Sequence, residues 1–394
     1  MSLHAAVSAE RPHIAFFGRR NAGKSSVVNA VTNQQMSLVS DTLGTTTDPV
    51  RKAMELLPLG PVMIIDTPGF DDEGALGALR VERTREILRR TDIAVLVVDA
   101  TRGIGETERE LIDEFRSRGL RYVLAFNKSD LLSTVPVTGD NEVYVSALTG
   151  DGIDVLKSRI ASFVDTRSDR RILEGLVSAG DTVVLVIPID AAAPKGRLIL
   201  PQQMTLRELL DTRCTAVCCQ PGELRDTLQN LHQPPALVVT DSQAFASVSA
   251  GTPDELPLTS FSILFARYKG ELPALMMGVD ALRALSDGDR VLIAEGCTHH
   301  RQCGDIGTEK LPRWIRDYTG VKPDFSFSSG NSFPSDLGGY RMVVHCGGCM
   351  LNEREMQSRA AMCAAAGVPM LNYGVAIAEM HGVLDRALRG VRVR

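Results

Sequence analysis

Gly18-Arg19-Arg20-Asn21-Ala22-Gly23-Lys24-Ser25 places two glycines, a lysine and a hydroxyl within eight positions, directly after the apolar run Ile14-Ala15-Phe16-Phe17. The run reads as a strand and the residues that follow, 24–32, as a helix. A Gly-rich turn between such elements lets backbone N–H groups close around a phosphate chain, and the helix N-terminus adds positive potential. Lys24 has the reach for β- and γ-phosphates, and the Ser25 hydroxyl is a ligand for Mg²⁺. Gly18, Asn21, Ala22, Gly23, Lys24, Ser25 and Ser26 are therefore the expected phosphate and Mg²⁺ shell, and the chemistry is phosphoryl transfer.

Three further stretches follow in the order that chemistry needs. Asp66-Thr67-Pro68-Gly69 comes directly after Val62-Met63-Ile64-Ile65. A carboxylate there holds the Mg²⁺ shell, and the Gly69 N–H senses the γ-phosphate. Asn127-Lys128-Ser129-Asp130 ends a run from Tyr122 to Phe126. Asp130 can accept from N1 and the 2-amino group of guanine, and adenine leaves such a carboxylate unpaired. Asn127 and Lys128 complete that motif, and Ser146 and Ala147 supply N–H groups toward the guanine O6. The nucleotide expected is GTP. Between the first helix and Asp66 lies Gly44-Thr45-Thr46-Thr47-Asp48, where a switch loop places a threonine on Mg²⁺ and the γ-phosphate. Thr46 is the choice, with Thr45 and Thr47 as alternatives. The expected catalytic set is Asn21, Lys24, Thr46 and Gly69. Phe70 follows Gly69, so no side-chain amide stands there to orient water, and intrinsic turnover should be slow.

A second constellation joins Cys297-Thr298-His299 to His345-Cys346-Gly347-Gly348-Cys349. Cys297 follows the apolar run Val291–Ala294, and Cys346 follows a run ending at Val344. Ligands gather at the C-terminal ends of strands in an open parallel sheet, so two neighbouring strands would bring three thiolates together. Three thiolates suit an iron–sulfur cluster or Zn²⁺, and His299 and His345 admit a Cys₃His zinc site. Cys214, Cys218, Cys219, Cys303 and Cys363 lack a comparable arrangement and are expected to be packed or surface thiols.

The elements that must position these groups form an α/β pattern. Strand candidates at 14–17, 62–65, 93–98, 122–126 and 143–145 alternate with helical stretches at 24–32, 76–90, 105–118 and 152–164, a doubly wound domain ending near Asp165. The charged stretch 166–171 reads as a solvated connector. A new alternation starts at Val183–Ile187, with helices at 206–211 and 222–231, a strand at 236–239 and a helical segment at 259–269. A third piece has strands at 291–294 and 342–345. The fold class is α/β: an N-terminal P-loop nucleotide domain followed by two smaller α/β domains.

A chain of 394 residues with 44% hydrophobic content has room for two or three packed cores. A net charge of −5 gives no electrostatic footprint for nucleic acid. No apolar run approaches a bilayer's span, and no apolar h-region opens the chain, so a cytoplasmic protein with reduced thiols is expected.

The order of the nucleotide motifs and the form GxxNxGKS resemble the Era/TrmE-like branch of GTPases. That likeness implies that Asn21 helps bind a K⁺ ion in place of an arginine finger. Over nearly its whole length the chain resembles the HydF family of [FeFe]-hydrogenase maturation GTPases. The resemblance is carried by this phosphate loop, by the Cys-x-His and His-Cys-x-x-Cys pair, and by the run from Ile187 to Gln202. It implies a GTPase domain at 1–168, a dimerisation domain at 169–271 and a [4Fe–4S] cluster domain at 272–394. It further implies Cys297, Cys346 and Cys349 as iron ligands, with Asp190, His299 or His345 as candidates for the fourth position. The role implied is a GTP-hydrolysing scaffold, at least a homodimer, that receives a diiron precursor made with two radical-SAM maturases and delivers it to the hydrogenase apoprotein. The competing reading is an Era/TrmE-like RNA-linked GTPase with a structural zinc domain, which the acidic charge disfavours.

Overall fold

Strand β1, His13–Gly18, is buried on both faces, which is why it reads as a continuous apolar run rather than an alternation. Ile14 and Phe16 belong to one hydrophobic cluster and Ala15 and Phe17 to the other, so successive side chains feed opposite layers. In the computed structural model the described residues are 11–33, 50–69, 84–163, 171–189, 198–269, 272–296, 305–330, 332–348 and 350–391.

The N-terminal sheet continues with β2 (Val50–Leu56), β3 (Gly60–Asp66), β4 (Ile93–Asp99), β5 (Arg121–Asn127) and β6 (Glu142–Tyr144). Its strand order is β2-β3-β1-β4-β5-β6. All neighbours pair in parallel except β2 and β3, which form an antiparallel edge with Val50 opposite Asp66 and Leu56 opposite Gly60. Helices Lys24–Thr32 and Ile153–Phe163 supply Val27, Val28, Leu156 and Ile160 to one face, while Ile112 and Phe115 from Glu106–Ser117 cover the other. Full burial of each such aliphatic or aromatic side chain stabilises by about 1.5–3 kcal/mol.

A second sheet holds β7 (Thr182–Val186), β8 (Thr215–Cys219), β9 (Leu237–Thr240) and β10 (Leu258–Ser260) in the order β10-β9-β7-β8, all parallel. The third holds β11 (Arg290–Glu295), β12 (Asp324–Ser329), β13 (Met342–His345) and β14 (Met370–Asn372) in the order β12-β11-β13-β14, again all parallel. By contact density the chain forms two compact units. One is Met1–Ser168 with Asn352–Ser358, and the other is Asp169–Leu351 with Arg359–Arg394. Both C-terminal sheets lie in the second unit.

Several elements differ from the pattern read in the sequence. The helix expected at 206–211 runs Leu200–Asp211, with Pro201 in its first turn, where a missing N–H costs nothing. The helical segment at 259–269 opens with β10, and the Ser260 hydroxyl, accepting from the Ile263 N–H at 3.3 Å, caps helix Phe261–Tyr268. Strands β2, β8, β12 and β14 are sheet edges that the apolar-run criterion passes over. Among the described residues, no helix is long and apolar enough to cross a membrane.

Candidate functional site

The phosphate loop leaves the end of β1 and turns into helix Lys24–Thr32 through two residues in the left-handed region, Asn21 at φ 65° and Gly23 at φ 80°. Gly18 lies against β4, where a Cβ would stand 2.8 Å from the Val97 carbonyl oxygen. A Cβ on Gly69 would stand 3.2 Å from the Arg20 amide nitrogen, so the end of the Asp66–Gly69 stretch reaches the loop. Lys24, only 8% exposed, forms an ion pair with Asp66. The Ser25 hydroxyl donates to the other Asp66 carboxylate oxygen at 3.4 Å. Lys24 and Ser25 thus both reach the Asp66 carboxylate. Ala22 and Ser26 occupy the same turn and the helix that follows it. Thr46 and its neighbours, and Phe70, lie outside the described residues.

The guanine-reading turn is tied to the phosphate loop by side chains. Asn127, buried at the end of β5, donates through Nδ2 to the Ala22 carbonyl at 3.0 Å and accepts from the Ala147 N–H at 3.0 Å. One amide therefore joins three motifs. Lys128, at φ 67°, donates to the Asn21 carbonyl at 2.9 Å and to Asp99 at 2.5 Å. Ser146 is fully buried, its N–H bonding the Asp151 carbonyl and its hydroxyl accepting from Thr149 N–H at 3.2 Å. Asp130 is exposed in the short 3₁₀ turn Ser129–Leu131.

Asp99 is a site residue the sequence reading passed over. Burial raises the proton affinity of its carboxyl, but Lys128 and Thr101 outweigh this and hold it below the usual range. The parallel register pairs Asp99 with Asn127, which places the carboxylate beside the next residue, Lys128.

In the third sheet β11 and β13 are neighbours, with Ala294 opposite His345. The Cys346 N–H continues the ladder by donating to the Ala294 carbonyl at 2.8 Å. The Gly296 and Gly348 N–H groups point at the Cys346 sulfur, at 3.0 and 3.4 Å. Burial pushes the Cys346 thiol up, with those two N–H groups opposing it. Gly347 has open space where a side chain would stand. Backbone N–H groups aimed at a sulfur are the outer contacts that a metal-bound thiolate would use. Cys297, Cys349, His299 and Asp190 lie outside the described residues. Among the described residues no three His, Cys, Asp or Glu side chains form a metal-binding group.

His345 is completely buried with both ring nitrogens engaged. Nδ1 lies 2.6 Å from the Cys346 carbonyl oxygen and Nε2 lies 3.0 Å from Nη1 of Arg359. A guanidinium only donates, so Nε2 is the acceptor and Nδ1 carries the proton. Burial, followed by the Arg359 charge, pushes the imidazole down to about 3. The remaining described cysteines behave as packing or surface groups: Cys363 is buried and pushed up to about 12 by burial, and burial also raises Cys214, Cys218 and Cys219.

A phosphate loop, an Mg²⁺-shell carboxylate and a guanine-reading turn on one mostly parallel sheet define the N-terminal region as a P-loop GTPase domain. Residues 13–128 match the 50S ribosome-binding GTPase family. Behind it, residues 172–270 match the hydrogen maturase F dimerization domain and 273–390 the hydrogen maturase F tetramerization domain. The chain belongs to the hydrogen maturase F family. It is similar to GTPase Der of Kosmotoga olearia, 33% identical over 42% of this chain and 42% of that protein. It is also similar to the tRNA modification GTPase MnmE of Chromobacterium violaceum, 32% identical over 40% of this chain and 36% of that one. The chain thus spans well under half the length of these curated relatives. Among solved structures it resembles Aquifex aeolicus Era, with 19% identity, 52% of this chain and 91% of that one covered, and a TM-score of 0.35.

Proposed function

We propose that this protein binds and hydrolyses GTP and acts as a scaffold and carrier in [FeFe]-hydrogenase maturation. In this reading it holds a [4Fe–4S] cluster, accepts the diiron precursor and passes it to the hydrogenase apoprotein, working with two radical-SAM maturases in the cytoplasm as a homodimer or larger assembly. Residues 1–168 form the GTPase domain, 169–271 the dimerisation domain and 272–394 the cluster domain. The observation that carries the reading is the pair of N–H groups on Cys346 Sγ, within a region that matches a hydrogen maturase F domain.

Lys24 neutralises the β/γ-phosphate charge, Ser25 and Thr46 ligate Mg²⁺ with Asp66 in its outer shell, and Asp130 selects guanine. Asn21 contributes to a K⁺ site beside the phosphates. That role predicts faster hydrolysis in K⁺ than in Na⁺, because a fixed cation stabilises charge spreading over the transferred group. Equal phosphate release in the two salts at matched ionic strength would remove K⁺ from the scheme.

Cys297, Cys346 and Cys349 would hold three irons of the cluster, which supplies an exchangeable fourth iron for the precursor. With both nitrogens of His345 engaged, Asp190 and His299 are the candidates for that fourth position. Replacing any one of the three cysteines by serine should cost most of the bound iron and sulfide in anaerobically prepared protein. Iron retained in all three variants would place the metal elsewhere, and stoichiometric zinc would favour a structural-zinc GTPase. The acidic net charge of −5 counts against that alternative's nucleic-acid partner.

A further inference from the structure

Behind the Cys346 loop the second unit buries a full positive charge. Arg359, on helix Glu353–Ala365, is 1% exposed and among the largest fully buried side chains. Its guanidinium is held in three directions. Nη1 donates to His345 Nε2 at 3.0 Å, Nη2 donates to the Gly330 carbonyl at 2.7 Å, and Cζ sits 5.0 Å from the Phe333 ring centroid. The His345 ring, fixed on one side by Arg359, contacts the Cys346 carbonyl through its other nitrogen. A second cation meets the same loop: Lys269 Nζ donates to the Gly347 and Gly348 carbonyls at 3.3 and 3.1 Å. Gly348 in turn donates its N–H to Cys346 Sγ.

A charge buried in a protein interior is costly unless it is held by partners, and the Arg359 guanidinium is held by His345 and the Gly330 carbonyl. Here the fork geometry of arginine serves two acceptors at once, which a lysine cannot reproduce. Outer-shell partners of this kind orient metal ligands, and net charge around a cluster sets its reduction potential.

Resting on the cluster reading above, we propose that Arg359 is a positioning residue for the cluster. Through His345 it fixes the Cys346 backbone, and its buried charge favours the reduced, more negative state of the cluster. Lys269 closes the loop from the other side. His345 is then part of this support and not an iron ligand.

The test uses full-length protein reconstituted anaerobically with ferric iron, a thiol reductant and sulfide and titrated with dithionite, read by electron paramagnetic resonance. Arg359→Met should retain cluster but lower its reduced-to-oxidised ratio at a fixed potential roughly tenfold, a midpoint more negative by about 59 mV. Arg359→Lys keeps the charge and loses the fork, so its midpoint should stay near that of the wild type while its g-values shift. Circular dichroism reports whether each variant folds. If Arg359→Met does not fold, Arg359→Lys decides: g-values identical to wild type would overturn the proposal. An unchanged midpoint in a folded, iron-loaded Arg359→Met would overturn it as well. Zinc in place of iron and sulfide in the wild-type protein would instead overturn the cluster reading, and this role of Arg359 with it.

Discussion

Lys128 works in the guanine turn through two partners, and its contact with Asp99 shows how a carboxylate distant in sequence sets a motif residue. The ammonium bridges the Asn21 carbonyl and the Asp99 carboxylate, so the phosphate loop, β4 and the guanine turn meet at one nitrogen. Asp99→Asn should weaken GDP binding by about fivefold, roughly 1 kcal/mol, the scale of a partly buried ion pair. Asp99 has a folded pKa below its ordinary value of 3.8. Its contribution is therefore complete above that value and is lost only as the pH falls through the lower folded value. The ratio of wild-type to Asp99→Asn affinity should be constant from about pH 8 to pH 5, measured by isothermal titration. A ratio that drops in that interval would show that another group governs Lys128. Lys24, Asp66, Asn127 and Asp130 are readable in the sequence because their spacing follows single turns after single strands. Asp99 is not, because its role exists only once β4 and β5 align Asp99 with Asn127. Arg359 is invisible there for a similar reason, since an arginine on a helix reads as solvated until its neighbours in space are known.

At the scale of elements, the turn from β1 into its helix depends on a backbone shape that only glycine adopts freely. Gly23 sits at φ 80°, and a Cβ there would collide with the Asn127 amide that donates to Ala22. Gly119, at φ 56°, shares the left-handed conformation but has nothing within 4 Å of the position a Cβ would take. Gly119→Ala should therefore cost only the conformational strain, about 1–2 kcal/mol, and leave nucleotide affinity intact. Gly23→Ala carries that strain and must also displace Asn127, so GDP affinity should fall by at least about tenfold, some 1.4 kcal/mol. Calorimetric binding of GDP to the two variants separates the effects, and equal affinities would show that Asn127 shifts freely. The central strands are legible because they are buried on both faces and carry unbroken apolar runs, as in β4, Ile93–Asp99. The edges are harder. In β8, Thr215–Cys219, exposed and half-buried residues alternate irregularly, and β14 is only three residues long. Such strands are defined by their neighbours' hydrogen bonds more than by their own composition.

Taken whole, the three sheets share one topological device. In each, the first strand in chain order lies where the direction of strand addition reverses: β1 between β3 and β4, β7 between β9 and β8, β11 between β12 and β13. Crevices at the C-terminal ends of strands form at such points, and they are where open α/β sheets bind ligands. Each of these first strands is followed along the chain by a residue group singled out for chemistry, Gly18–Ser25, Asp190 and Cys297 in turn. The nucleotide residues all lie within Met1–Ser168, whose sheet is packed by its own two hydrophobic clusters, whereas Cys346 belongs to the second unit. If the second unit holds the proposed cluster, Cys346→Ser should strip most of the iron and leave the GTP turnover number within about twofold of wild type, because the residues assigned to the nucleotide belong to a unit with its own core. Phosphate release and iron content measured on the same preparation check this. A tenfold fall in turnover in that variant would mean that the second unit takes part in setting the rate at which Lys24 and its neighbours work, and that two separate cores do not make two independent sites.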